Sequence, residues 1–333
     1  MKLALKITPQ RSTQYANMTE KLAAPELLAS PLASAILHIE PIALARQDYL
    51  LVTLNDACSP FMLDVLARLG ASSEAYEYFE NIGTIHGPFL RPLYCSFTAF
   101  VPVEMAQVRR YKGKTNEVFT RVLLNVALFA SAFREQMTGR LRILDPLAGG
   151  GTTLFLALAA GYDAFGIERE RKDVETTALF VRQFLHSERI PYNERDERSR
   201  RAGRRYLFEI GRKGATRHLA LAHGNAAQAD LHLQEVPGGP HMHAIVTDLP
   251  YGIQHFGEIS TMLAQALPVW ERLLLPGGTL AFAWNATRIE RKDLIACIEN
   301  TTHLHTRNDP PYTQFEHTVD RVIKKRDILV AVK

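Results

Sequence analysis

The stretch that most constrains this chain runs from Arg142 to Glu168, RILDPLAGGGTTLFLALAAGYDAFGIE. Ile143 and Leu144 read as a buried strand, Gly149, Gly150 and Gly151 as an abrupt turn, Thr152 to Ala160 as a helix, and Ala164 to Ile167 as a second strand ending on Glu168. That is half of a nucleotide-binding βαβ unit. Parallel strands need helical crossovers, so a chain built around one such unit is expected to alternate strand and helix on either side of it.

What the turn lacks narrows its ligand. A phosphate-binding P-loop places Lys-Ser or Lys-Thr after its glycines, whereas Gly151 is followed by Thr152-Thr153. The dinucleotide fingerprint G-x-G-x-x-G fails too, because Leu154 stands where the third glycine would fall. Asp145 at the end of the first strand suits an ammonium, the glycines let a ligand lie against bare backbone, and Glu168 at the end of the second strand suits a ribose diol. S-adenosyl-L-methionine carries all of those groups.

The flanking sequence keeps the same rhythm. A helix over Asp173 to Leu185 is expected, then a short strand Leu219 to Ala222 ending in His223-Gly224-Asn225. Ligands of parallel sheets sit beyond the carboxyl ends of the strands, which makes Asn225 a candidate for the adenine edge, with Asp230 second. Ala244 to Val246 reads as a fully buried strand, so Asp248, Leu249, Pro250 and Tyr251 leave it on the rim that carries the glycine turn. Helix Thr261 to Leu274, turn Pro276-Gly277-Gly278 and strand Thr279 to Trp284 repeat the pattern, and Asn285 emerges at the same rim. Trp284 is either core or a platform for a base. Helix Lys292 to Glu299, an edge strand and a last strand Asp327 to Val332, after Lys324-Lys325-Arg326, complete a doubly wound, mostly parallel α/β domain over 111–333.

Residues 1–110 form a separate, small α+β unit, a candidate for substrate recognition. Leu37 to Ile42 and Tyr49 to Leu54 read as strands, and Ser59 caps a helix that Gly70 ends, with a second short helix expected around Glu74 to Glu80 and an extended stretch over Gly87 to Val103. The basic connector Arg109 to Lys114 leads into a helix capped by Thr115 or Asn116, and Lys112 and Lys114 are expected near the mouth of the cofactor site. The apolar run Val118 to Phe133 contains Arg121 and Asn125 and is too short to span a bilayer. With no signal-peptide pattern and three scattered cysteines, Cys58, Cys95 and Cys297, a cytoplasmic protein with no membrane partner is expected. His241, His243 and His255 lack metal-ligand spacing, so no metal is expected.

The net charge of +4 is unevenly spread. An Arg-rich insertion over 189–217 holds ten basic residues against four acids. It is either a polyanion contact, with Arg204 and Arg205 as candidates, or a solvated and partly disordered insertion.

Asp248-Leu249-Pro250-Tyr251 points to methyl transfer onto a planar amine. The lone pair of an exocyclic nucleobase amine is delocalised into the ring, and two acceptors aimed at its hydrogens bend the nitrogen toward tetrahedral. Asp248 offers a carboxylate, Leu249 a backbone carbonyl, Pro250 a fixed turn without a competing N–H, and Tyr251 a stacking face. Taken alone, the four residues read first as a turn with a packing tyrosine; the upstream glycine turn on the same rim favours the chemistry.

At these residues the chain resembles a known family. Asp145-Pro-Leu-Ala-Gly-Gly-Gly-Thr-Thr153 is similar to the first motif of class I S-adenosylmethionine-dependent methyltransferases, and Thr247-Asp248-Leu-Pro-Tyr-Gly252 to the N/D-P-P-Y motif of amino-group methyltransferases. The D-L-P-[FY]-G variant resembles the catalytic domain of guanine-N2 tRNA methyltransferases, a group that usually carries a THUMP RNA-binding domain. Leu249 stands where proline is commoner.

The resemblance covers about residues 110–333 and implies a seven-stranded Rossmann-like methyltransferase sheet. It also implies a cofactor site at Asp145, Pro146, Ala148, Gly149, Gly151, Thr152, Thr153 and Glu168, with the helix start Lys114-Thr115-Asn116 near the methionine end. An RNA partner, tRNA first, is then expected, contacted through Trp284, Asn285, Arg204 and Arg205. A DNA adenine or cytosine amino-methyltransferase, a protein or small-molecule N-methyltransferase and a non-catalytic nucleic-acid-binding module are the alternatives.

Overall fold

In the computed structural model, the described residues are 1–10, 18–95, 97–199, 203–250, 256–319 and 324–333. They form two sheets. The N-terminal sheet holds β1 (Lys2–Ile7), β2 (Ile36–Leu44), β3 (Gln47–Leu54), β4 (Ser72–Ile82) and β5 (Ile85–Pro92), all antiparallel in the order β2-β3-β1-β4-β5. Alternation sends Leu3, Leu5, Leu50 and Val52 inward, where α1 (Met18–Ala29) and α2 (Pro60–Arg68) contribute Leu22, Leu27 and Val65. Ser59 caps α2 as expected, its hydroxyl accepting from the Met62 N–H.

One sequence expectation is corrected here, and two elements are new. The segment expected as a helix around Glu74 to Glu80 is strand β4: Tyr76, Tyr78 and Phe79 favour a pleated surface, and the strand is paired on both sides, to β1 and β5. The three-residue spacing of Glu74, Glu77 and Glu80 mimics a helix face without forming one. Helix α1, which contains Pro25, and strand β1 had no sequence counterpart.

The second sheet comprises β6 (Arg142–Asp145), β7 (Asp163–Glu168), β8 (Tyr192–Ser199), β9 (Gly203–Ile210), β10 (Arg217–His223), β11 (Met242–Asp248), β12 (Leu274–Asn285), β13 (His305–Arg307) and β14 (Arg326–Val332). Their order is β13-β14-β12-β11-β6-β7-β10-β9-β8. The five strands from β12 to β10 are parallel, whereas β14, β13, β9 and β8 each run antiparallel to the preceding neighbour. Nine strands therefore stand where seven were expected. The two extra ones, β8 and β9, are the Arg-rich segment, which is an ordered hairpin over its described residues and not a disordered insertion.

Each parallel strand buries both faces. Ile143 and Ala244 face one core with α4 (Glu117–Ala130), α5 (Thr152–Ala159) and α6 (Arg171–Ser187). Leu144 and Ile245 face another, with α8 (Phe256–Leu273) and α9 (Arg291–Thr301); the short helices α3 (Glu104–Val108) and α7 (Ala229–His232) precede α4 and α8 in the chain. No helix among the described residues is long and apolar enough to cross a membrane.

The first core is continuous with that of the N-terminal sheet, since Leu3, Leu22 and Leu66 belong to the same cluster as Phe119 and Val122 of α4. A buried polar knot fastens the junction. Glu26 of α1 accepts from the N–H groups of Gly70 and Ala71 and from the Asn125 amide of α4, at 2.8–2.9 Å. Replacing Glu26 by Ala leaves those donors without an acceptor and is expected to cost about 3 kcal/mol in chemical denaturation; an unchanged unfolding midpoint would show that the knot is not structural.

Candidate functional site

Strands β6 and β11 pair in parallel, so their carboxyl ends open onto one rim at the point where strand order reverses. A cavity of about 580 Å³ lies there. Asp145 lines its floor and is itself 3% exposed. Its Oδ1 accepts from the Thr247 hydroxyl at 2.7 Å and from the Leu147 N–H at 3.1 Å. The glycine turn forms the next wall. Gly149 sits at φ +50° and Gly151 at φ +91°, a left-handed conformation that favours glycine, and Gly151 launches α5. Gly150 is required for a different reason: a β-carbon there would collide with the ring of Tyr111, whose hydroxyl hydrogen-bonds the Thr152 hydroxyl at 2.7 Å.

Glu168 ends β7 with both oxygens engaged by backbone, Oε2 by the Gly149 N–H and Oε1 by the Glu170 N–H. It borders the cavity together with Gly224 and Asn225, which follow β10. The Asn225 carbonyl caps the next turn by accepting from the Ala227 N–H. On the opposite wall stand Asp248, Leu249 and Pro250. The Leu249 N–H is tied to the Ala283 carbonyl at 2.9 Å and its side chain is buried in the second core, which explains why a leucine fits this position. Asp248 Oδ2 accepts from the Thr115 hydroxyl at 2.7 Å and from Arg326 Nη2 at 2.9 Å.

The structure thus gathers Asp145, Pro146, Ala148, Gly149, Thr152, Thr153, Glu168, Asn225, Thr115, Asp248, Leu249 and Pro250 around one cavity. Gly151 stands just behind it, and Tyr251 lies outside the described residues. Four expected residues are placed elsewhere. Asn116 is spent as the cap of α4, its carbonyl accepting from Val118 and Phe119 and its amide donating to Gln10. Trp284 is core, 1% exposed, with its indole N–H donated to the Ile289 carbonyl. Arg204 is paired with Asp196 and Glu175, and Arg205 with Glu197 and the His232 and Gln234 carbonyls, so both guanidinium groups close the hairpin and anchor it to α6 and to the segment at the end of α7.

Asn285 does reach the rim, but its side chain accepts from the Thr287 N–H and does not line the cavity. Of the connector lysines, Lys114 is tied to Glu117 and the Gln107 carbonyl, and neither it nor Lys112 lines the cavity. Tyr111 and Arg326 were missed: both lie in basic runs, and only tertiary structure distinguishes them from solvated neighbours.

Four carboxylates, Asp145, Glu168, Glu170 and Asp248, line this cavity against one arginine, Arg169, a balance that favours a cationic ligand over a phosphate. Among the described residues there is no cluster able to hold a metal ion.

No protein-family model matches the sequence, and no curated protein matches it. Solved structures do. TrmN from Thermus thermophilus is 15% identical, with TM-score 0.40, covering 89% of this chain and 59% of that one. The T. thermophilus 16S rRNA N2 methyltransferase RsmC, solved with AdoMet and guanosine, is 14% identical, with TM-score 0.38, covering 90% and 59%. The precorrin-6y C5,15-methyltransferase from Geobacter metallireducens is 12% identical, with TM-score 0.40, covering 69% and 98%. The chain therefore spans 59% of the length of TrmN and of RsmC.

Burial pushes the Asp145 carboxyl from its ordinary 3.8 up to about 6, against the opposing pull of its hydrogen bonds. Its neutral form thus contributes stability that is fully present below pH 3.8 and lost as pH rises through about 6. Asp145→Asn has no such loss, so its melting temperature relative to the parent protein should climb between about pH 4 and 6 and then level off. A constant difference across that window would contradict a buried, desolvated Asp145.

Proposed function

We propose that this protein is an S-adenosylmethionine-dependent methyltransferase that modifies an exocyclic amine of a nucleobase, with guanine N2 of tRNA or another RNA as its target. One observation carries the reading: Asp145, Gly149, Glu168 and Asn225 share a single cavity with Asp248, Leu249 and Pro250, at the carboxyl ends of β6, β7, β10 and β11. The donor supplies an electrophilic methyl group on a sulfonium.

Asp145 and the bare backbone of Gly149 would hold the donor's methionine moiety, Glu168 its ribose and Asn225 its adenine. The four carboxylates, in excess over Arg169, match a ligand bearing a sulfonium and an ammonium, and Tyr111 would close the glycine turn over it. The Asp248 carboxylate and the Leu249 carbonyl would accept the two amine hydrogens, turning the nitrogen lone pair toward the methyl group. The donor, when bound, would supply the methyl group and keep the C–S electron pair on its sulfur, and Asp248 or water would take the proton that the nitrogen sheds. Such a transfer needs little acid–base chemistry, so alignment supplies most of the acceleration.

RNA would lie across the rim. On β8, Arg195 and Arg198 pair only at long range, with Glu197 at 3.7 Å and Asp196 at 3.8 Å, and with side chains 64% and 73% exposed they would be open to phosphates. The N-terminal unit would extend the contact.

Methyl transfer from labelled S-adenosylmethionine into separate tRNA, rRNA, DNA and protein fractions, followed by nucleoside analysis, tests the substrate; label in protein alone would remove the nucleobase reading. Asp248→Ala should abolish transfer while leaving the affinity for S-adenosylmethionine in calorimetry nearly intact. Lost affinity with retained turnover would overturn the role given to Asp248.

A further inference from the structure

Arg326 lies in no segment that the cavity's ligand would touch by the reading above, yet it is bound to the residue on which that reading turns. It is the first residue of β14, opposite Asn285 of β12, and its backbone exchanges two hydrogen bonds of 2.9 Å with His317. Its guanidinium stacks on the ring of Phe119, with its central carbon 4.4 Å from the ring centroid, and Nη2 reaches Asp248 Oδ2. The residue is 3% exposed. Thr115, from the turn before α4, donates to the same oxygen.

We propose that Arg326, seconded by Thr115, is a positioning residue that clamps the Asp248 carboxylate plane for the amine, an inference that rests on the amine-methylation reading. A lone aspartate rotates about its Cβ–Cγ bond at little cost. Two donors converging on one oxygen from different elements oppose that rotation, because turning the carboxylate breaks both bonds. Orientation of an acceptor matters within about 10–20° for such a site.

The pair's cost also argues for a positional role. Taking an arginine and an aspartate out of water costs free energy that their attraction often fails to recover, so stability alone is a poor reason to keep the pair here. The neighbouring His317 is buried, which lowers its affinity for a proton, and its Nδ1 is hydrogen-bonded to the Phe315 carbonyl. Phe119 and the backbone of β14 keep the guanidinium from swinging away.

The test measures kcat, KM for the RNA fraction that accepts methyl groups, the Kd for S-adenosylmethionine and the melting temperature of four proteins: wild type, Arg326→Gln, Arg326→Lys and Thr115→Val. Arg326→Gln should lower kcat about 100-fold with both binding constants unchanged. Arg326→Lys, which keeps a cation but loses the planar fork, should recover part of that loss. Thr115→Val, which removes one donor at nearly constant shape, should lower kcat less and melt like the wild type.

A folded Arg326→Gln with wild-type kcat overturns the clamp, as does a parallel fall of kcat and donor affinity. If Arg326→Gln does not fold, Thr115→Val decides, and full kcat there overturns it. Wild-type protein that methylates no RNA overturns the amine-methylation reading and the clamp with it, whereas an active wild type with unaffected variants removes the clamp alone.

Discussion

The hydrogen bond from Thr247 to Asp145 joins residues 102 positions apart and buries a carboxylate at the floor of a cavity. Everything at the rim depends on the strand pairing that makes it. Because β6 and β11 run parallel and adjacent, the glycine turn leaves one and Asp248 to Pro250 leave the other at the same edge. A parallel pair can do this only with helices as crossovers, and the two separate cores above and below the sheet are the consequence.

Charge at the rim is arranged unequally. Asp145 is embraced by hydroxyl and backbone donors, with no cation bonded to it among the described residues, and burial raises its affinity for a proton. Asp248 is instead paired to a buried guanidinium. The first arrangement leaves a carboxylate whose cost a bound cation would relieve; the second leaves one whose orientation is fixed. On the proposed reading, the first would suit a donor seat and the second an acceptor guide, side by side in one cavity.

The parallel core and its rim were legible because their determinants are local: apolar runs, a glycine turn, and acids or amides just beyond strand ends. The N-terminal sheet was not. In β4 the acid spacing resembles a helix, and the pairing with β1 and β5 that overrides it comes from residues distant in sequence. In the Arg-rich segment net charge hid the pairing, since cross-strand pairs such as Arg205 with Glu197 exist only once the hairpin has closed. Arg326 shares its basic run with two exposed lysines, and only the fold gives it Phe119 and Asp248 as neighbours.

The most direct measurement is a calorimetric titration of the unmodified protein with S-adenosylmethionine. The account predicts saturable binding at one molecule per chain, competed by S-adenosylhomocysteine and weakened when Asp145 is replaced by Asn. Absence of binding, or binding indifferent to Asp145, would contradict the rim cavity as a methyl donor's seat.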